Sequence, residues 1–249
     1  MAAGISNMAG NSSPFSIHSE AVRAIFGNSP ALELLHENDQ YPFAHEAGVF
    51  IAADDTLFIT SNQYPDPETG RKKIQISRVK LDRSGGRTTA EVEEIYPEGV
   101  PMANGGVNYV GGVLFCAQGG LDPSTEPGGL VHMEARAPYS TRALVDSFNG
   151  RQFNSVNDVV VHSDGSFWFT DPIYGYEQGI RPKPVLPSQV YRFDPKGGVG
   201  GKGSVRAVAD GFGRPNGICF SPDELTVYIT DTDWIHGDGT TDLTRASTM

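Results

Sequence analysis

The sequence predicts an all-β fold, a β-propeller of repeated four-stranded sheets, and three observations predict it. A hairpin-like pattern occurs four times. Its copies recur at a near-constant interval. The 249 residues include 30 glycines and 17 prolines, which suits many short strands joined by turns.

The pattern is clearest over residues 154–175, NSVNDVVVHSDGSFWFTDPIYG. A polar start at Asn157-Asp158 leads into the apolar run Val159, Val160, Val161. A tight turn at Ser163-Asp164-Gly165-Ser166 leads to a second run, 167–170, which closes on Asp171-Pro172. Two β-rich runs joined by an Asp-Gly turn read as a hairpin. The other copies are HEAGVFIAADDTLFITSN from His45, ANGGVNYVGGVLFCAQGG from Ala103 and RPNGICFSPDELTVYITDTD from Arg214. Aligned on Thr60, Ala117, Thr170 and Thr230, they are 57, 53 and 60 residues apart. A weaker strand pair follows each of the first three: 74–79 with 91–95, 129–134 with 141–145, and 189–193 with 205–209. Four strands per repeat make one propeller blade.

In chain order, residues 1–43 read as a leader. Its first 15 or so residues are small and polar and are expected to be disordered. Residues 19–26 read as a short helix stopped by Gly27, and 31–35 as a strand or one helical turn. The blades fill 44–249. Blades one to three span about 44–100, 101–150 and 151–211, and the fourth has only its first hairpin by Met249, about 3.6 blades in all. The Pro/Gly-rich stretches 64–71 and 172–187 read as loops rimming the cavity on one face. PKGGVGGKG, from Pro195, lacks the GxxxxGK[ST] spacing of a phosphate loop and reads as a flexible turn.

A formal net charge of −11 argues against nucleic acid and anionic membrane as partners. No apolar run approaches the roughly 20 residues that span a bilayer. The N-terminus has neither a basic start nor an apolar core, so no secretory signal is read and a cytoplasmic location is expected. Cys116 and Cys219 fall in strands predicted to be buried in different blades, and are expected to be free, packed thiols.

Each hairpin opens with a polar residue at nearly one register. Glu46 precedes Thr60 by 14 residues, Asn104 precedes Ala117 by 13, Asn157 precedes Thr170 by 13, and Asn216 precedes Thr230 by 14. The first strand of each blade lines the axis of a propeller, so these positions converge. One carboxylate and several amide oxygens form an oxygen-only donor set, which suits a hard divalent cation, calcium first among them. The competing reading is that these residues cap backbone amides in turns, as Asn does elsewhere. Asp158 departs from the repeat, since Gly105 and Gly217 stand in its register. It is a candidate substrate or catalytic carboxylate. Asp171, Asp231 and Asp233 read as turn caps, and His162 as exposed. There is no GxSxG elbow.

YPFAHEAG at 41–48, NDVVVHSDGSFWFTDPIYG and RPNGICFSPDE resemble the gluconolactonase/senescence-marker-protein (regucalcin-like) family, and within it the lactonohydrolase subgroup. The resemblance covers about residues 30–245. It implies a six-bladed propeller with a calcium-type ion on its axis, hydrolysing sugar lactones and related esters. Glu46, Asn157 and Asn216 match the family's metal ligands. Asn104 lies on the ring without matching a ligand and is expected, with Asp158, to face substrate. The family's remaining ligand, an Asp of blade five that also serves as general base, has no counterpart before Met249. The chain is therefore expected to be an incomplete, C-terminally truncated propeller with impaired activity. The alternative is a non-catalytic fragment that binds a metal or a partner.

Overall fold

The computed structural model describes residues 15–198 and 203–249. Most of the stretch expected to be disordered lies outside the described residues, as do residues 199–202 of the Gly-rich turn. The chain divides after Glu37 into two compact units.

The first unit carries helix α1 (Glu20–Phe26). Ser19 starts it: its hydroxyl accepts the Ala21 N–H at 3.2 Å. Gly27 ends it at φ 75, with its N–H on the Arg23 carbonyl. Residues 31–35 form neither strand nor helix. Leu32 and Leu34 stand 78% and 72% exposed, so the alternation there has no sheet to bury it.

The second unit, Asn38–Met249, is antiparallel β-structure. Strands β1 (Glu46–Ile51), β2 (Thr56–Thr60), β5 (Ile76–Asp82) and β6 (Thr89–Ile95) form the first sheet in that order. Between β2 and β5 a small hairpin pairs β3 (Tyr64–Pro65) with β4 (Lys72–Lys73). The second sheet runs β7 (Ala103–Tyr109), β8 (Gly112–Ala117), β9 (Gly129–Glu134), β10 (Thr141–Val145). A second small hairpin, β11 (Ser147–Phe148) with β12 (Arg151–Gln152), precedes the third sheet. That sheet runs β13 (Val159–Val161), β14 (Phe167–Asp171), β15 (Gln189–Asp194), β16 (Ser204–Ala209), with the one-turn helix α2 (Tyr174–Glu177) after β14. The last sheet pairs β17 (Pro215–Phe220) with β18 (Val227–Asp231). The first strands stand side by side: β1 packs beside β7, β7 beside β13, and β13 beside β17. No helix among the described residues is long and apolar enough to cross a membrane.

The core lies between successive sheets. Strand β8 reads GVLFCA, apolar at almost every position, because it is buried on both faces. Val113, Phe115 and Ala117 meet Phe58, Ile76 and Met133 on one side, while Leu114 and Cys116 meet Phe153, Phe167, Phe169 and Tyr191 on the other. Burying each such large side chain contributes roughly 1.5–3 kcal/mol.

Three expectations are corrected here. Both cysteines are free, but only Cys116 is buried; Cys219 is exposed. On β17 the alternation turns Ile218 inward and Cys219 outward. His162 is not a free surface residue. Its Nδ1 lies 3.1 Å from Asp164 Oδ1 and its Nε2 3.5 Å from Glu224 Oε2, so it ties the third hairpin turn to the fourth. Asp233 caps no turn but pairs with Arg214 at 2.5 Å, and Arg214 also pairs with Glu177 of α2. Asp171 and Asp231 do act as caps. Asp171 accepts the Asn154 and Ser155 N–H groups at 2.9 and 2.8 Å, and Asp231 those of Gly213 and Arg214 at 2.9 and 2.7 Å.

Candidate functional site

The four in-register positions fall where the first strands are irregular. The pairing shifts between Glu46 and Val49, between Ala103 and Gly106, and between Pro215 and Ile218. Asn157 sits just ahead of β13, its N–H on the Thr170 carbonyl. A bulge turns a side chain out of the strand's regular alternation. Here it frees the polar residue from the face that packs on the next sheet.

Main-chain bonds tie these positions together across sheets. Thr60 Oγ1 donates to the Asn104 carbonyl at 3.0 Å, and Thr170 Oγ1 to the Asn216 carbonyl at 2.6 Å. Ala117 has no hydroxyl, and the corresponding tie there is Gly105 N–H to the Asn157 carbonyl at 2.9 Å. A Cβ on Gly105 would stand 2.4 Å from that carbonyl oxygen, so the position admits only glycine.

Glu46, Asn104, Asn157 and Asn216 all line one cavity of about 300 Å³. They come from four different sheets. Residues that the sequence reading passed over line it too: Asn62, Gln63, Gln118, Tyr174, Gln178 and His236; so does His45, whose place before Glu46 makes it a residue able to orient that carboxylate. Most arrive on segments that follow a second strand. Gln118 directly follows Ala117, and Asn62-Gln63 lie just past Thr60, so the same alignment contained their signal.

Asp158 does not line this cavity. Its Oδ2 accepts the Ile218 N–H at 2.9 Å and its Oδ1 the Val159 N–H at 2.8 Å, joining β13 to β17. Burial raises its pKa, and those two bonds oppose the shift. Burial also pushes Glu46 up, and the charge of Asp158 adds to the shift. Burial holds the His45 imidazole below its ordinary value, favouring the neutral ring, with Nε2 3.9 Å from Glu46 Oε1.

The donor chemistry fits a hard cation. The converging side chains offer mainly amide oxygens around the one carboxylate of Glu46, and among the described residues no three His, Cys, Asp or Glu gather as a ligand group, at this cavity or elsewhere. Gln63 Oε1 is enclosed without any hydrogen-bond partner, an acceptor at the cavity with nothing to accept from. Asn216 Nδ2 donates to Tyr174 Oη at 3.5 Å, which leaves Oδ1 for the cavity. Asn104 differs, because its Oδ1 already accepts the Gly105 N–H at 3.0 Å and its Nδ2 is the group left to donate.

Successive antiparallel sheets, first strands side by side and an oxygen-lined cavity at their bulges define a class of β-protein with one shared site built from its repeats. Residues 73–234 match the family described as the SMP-30/Gluconolactonase/LRE-like region, and the chain belongs to that family. It is 29% identical over 218 residues to the lactonohydrolase oryL of Aspergillus oryzae, an alignment covering 85% of this chain and 45% of that protein. It is 31% identical over 116 residues to the gluconolactonase of Zymomonas mobilis, covering 43% of this chain and 30% of that one. A solved gluconolactonase structure from Xanthomonas campestris matches with a TM-score of 0.55 at 26% identity, over 77% of this chain and 56% of that one. The chain thus spans about half the length, or less, of the relatives it matches.

Proposed function

We propose that the chain is a divalent-metal-dependent lactone hydrolase, taking a small-molecule lactone or ester. In this reading its three sheets and terminal hairpin are blades of a six-bladed type of propeller over residues 44–249, preceded by a leader. The observation that carries it is the meeting of Glu46, Asn104, Asn157 and Asn216, from four repeats, at one cavity.

Glu46, Asn157 and Asn216 would hold the ion, calcium by donor type. Such a cation, when bound, would polarise a carbonyl oxygen and acidify a water. Glu46 brings the charge of this trio, and the two amides bring neutral oxygens. Asn104 turns its Nδ2 toward the substrate as a donor, since its oxygen is engaged by Gly105. His45, held neutral by burial beside Glu46, is able to take a proton from the attacking water. Asp158 is the other candidate for that role, although both its oxygens already accept main-chain amides.

Hydrolysis of simple aldonolactones, with chelator and with calcium restored, tests the reading. Calcium should also raise the melting temperature by binding the native state. Glu46→Gln should abolish both responses, and His45→Gln against Asp158→Asn should separate the two candidate bases. Absence of hydrolysis with any divalent cation would overturn the enzymatic reading. Calcium-dependent stabilisation without turnover would favour the alternative, a propeller unit that binds a cation or partner without catalysis.

A further inference from the structure

The side chain of Asn216 is wired to groups behind the cavity. Its amide meets Tyr174 Oη at 3.5 Å. Tyr174 Oη is hydrogen-bonded in turn to Thr232 Oγ1. Thr232 Oγ1 then reaches the Arg214 carbonyl at 3.5 Å. One chain of bonds thus runs from the cavity to the main chain just ahead of β17. Asn216 and Tyr174 line the cavity, whereas Thr232 and Arg214 do not.

The far end of this chain sets the direction of every proton in it. A carbonyl oxygen only accepts, so the single proton of the Thr232 hydroxyl goes to Arg214. Thr232 Oγ1 then accepts from Tyr174, and the phenol donates its own single proton there. Tyr174 Oη is left as an acceptor toward Asn216. The group that Asn216 presents to it is therefore Nδ2, and Oδ1 turns to the cavity. The opposite amide rotamer would set Oδ1 against a phenol oxygen with no proton to give. It would also aim an NH2 group at a bound cation. Nothing in the shape of an Asn side chain makes that choice, because its oxygen and nitrogen are nearly alike in size.

The groups of the chain are held in place. The Asn216 carbonyl accepts Thr170 Oγ1 at 2.6 Å, which fixes its main chain. The Thr232 N–H donates to the same Arg214 carbonyl at 3.1 Å and keeps the hydroxyl beside its acceptor. Tyr174 opens α2 and is 8% exposed. That helix is fastened on two sides. The Gly175 N–H donates to Ser155 Oγ at 2.9 Å, while Glu177 accepts the Gly237 N–H at 2.7 Å and pairs with Arg214.

We infer that Tyr174 and Thr232 are positioning residues, which turn the Asn216 amide oxygen toward the cation and keep its NH2 group away. The inference rests on the reading of Asn216 as a ligand of a divalent ion. It adds to that reading what makes a neutral amide a dependable oxygen donor.

Calcium alone, titrated calorimetrically into the full chain, tests it. Tyr174→Phe removes the acceptor and should weaken calcium binding by about three- to tenfold, the contribution of one ordinary hydrogen bond. Thr232→Val keeps Tyr174 but frees the phenol proton to engage Asn216 Oδ1 in competition with the ion. It should weaken binding by a similar factor, although residue 232 does not line the cavity. Asn216→Asp separates orientation from packing, since a carboxylate has no NH2 group to turn the wrong way. In that background Tyr174→Phe should leave calcium affinity unchanged or raise it. Melts without calcium show whether each variant folds, and Thr232→Val carries the test if Tyr174→Phe does not. Affinity unmoved by Tyr174→Phe, or by Thr232→Val, overturns the inference and leaves the metal reading standing. Equal weakening by Tyr174→Phe in both backgrounds also overturns it, because that marks a packing role. If calcium does not bind the unsubstituted chain, the reading of Asn216 as its ligand fails and the inference fails with it.

Discussion

Asp171 is fully buried, and burial pushes its carboxyl up to about 7 against two amide bonds and the Arg181 charge, which act the other way. The unfolded chain releases the same proton near the ordinary carboxylate value. Between about pH 4 and 7 the folded state therefore carries a proton that the unfolded state lacks. Through that window its contribution to stability falls as pH rises. Asp171→Asn keeps one acceptor for the Asn154 and Ser155 amides but turns an NH2 toward the other, at a cost of about 1–3 kcal/mol. It should also flatten the fall in stability over that window. Urea melts at several pH values check both effects, and an unchanged slope would place the proton elsewhere. The thiols give a second reading at this scale. Cys219 should label with a maleimide in the native state, and Cys116, enclosed on β8, only after unfolding. Mass spectrometry after a timed pulse distinguishes them.

Among the elements, the segment after α2 depends on a single buried cation. Arg181 is 3% exposed and donates to the Asn154, Gly120 and Phe153 carbonyls at 2.8, 3.0 and 2.7 Å. It thereby joins that segment to the loop after β8 and to the entry of the third sheet. Arg181→Ala strips three carbonyls of their donor and leaves Asp171 without its nearby positive charge. A loss of about 3–5 kcal/mol is expected, read as a drop in the urea midpoint. Nothing in PIYGYEQGIRPKPVLP announces this role, because a loop arginine has no periodicity to betray burial. The hairpins were legible for the opposite reason. Runs rich in β-branched and aromatic residues on either side of a Gly-containing turn, at Asp164-Gly165 or Val110-Gly111, leave a pattern that recurs along the chain. The hairpins β3–β4 and β11–β12 are two residues per strand, too short to show any period. The ring residues were found because a repeat aligns them. Gln63 and Gln118 follow the second strands, where the residue type changes from copy to copy, and Gln178 stands in the long loop 172–187, which has no counterpart of equal length. Cys219 was misjudged because a strand's inward face is known only once its neighbouring sheet is known.

For the molecule as a whole, the edges matter most. Strand β18 pairs with β17 on one side, and its other side carries the single bridge from Asp231 to Thr248. Tyr228 stands 43% exposed on it, and Leu225, just before it, 85%. An open edge with apolar side chains recruits other strands. Self-association that grows with concentration is expected in sedimentation runs, in spite of the net charge of −11. Tyr228→Lys should reduce it by placing a charge on the edge. Association unchanged in that variant would mean that a different surface is involved.

Asn104, Asn157 and Asn216 each lend a main-chain carbonyl to an adjoining repeat, and that loan does not depend on what their side chains are. Heredity can therefore act on the cavity one codon at a time. A single base change that turns such an asparagine into aspartate, histidine or lysine alters what the cavity attracts, and the seam between sheets stays closed. Lineages built on this seam are free to diverge in diet faster than in shape.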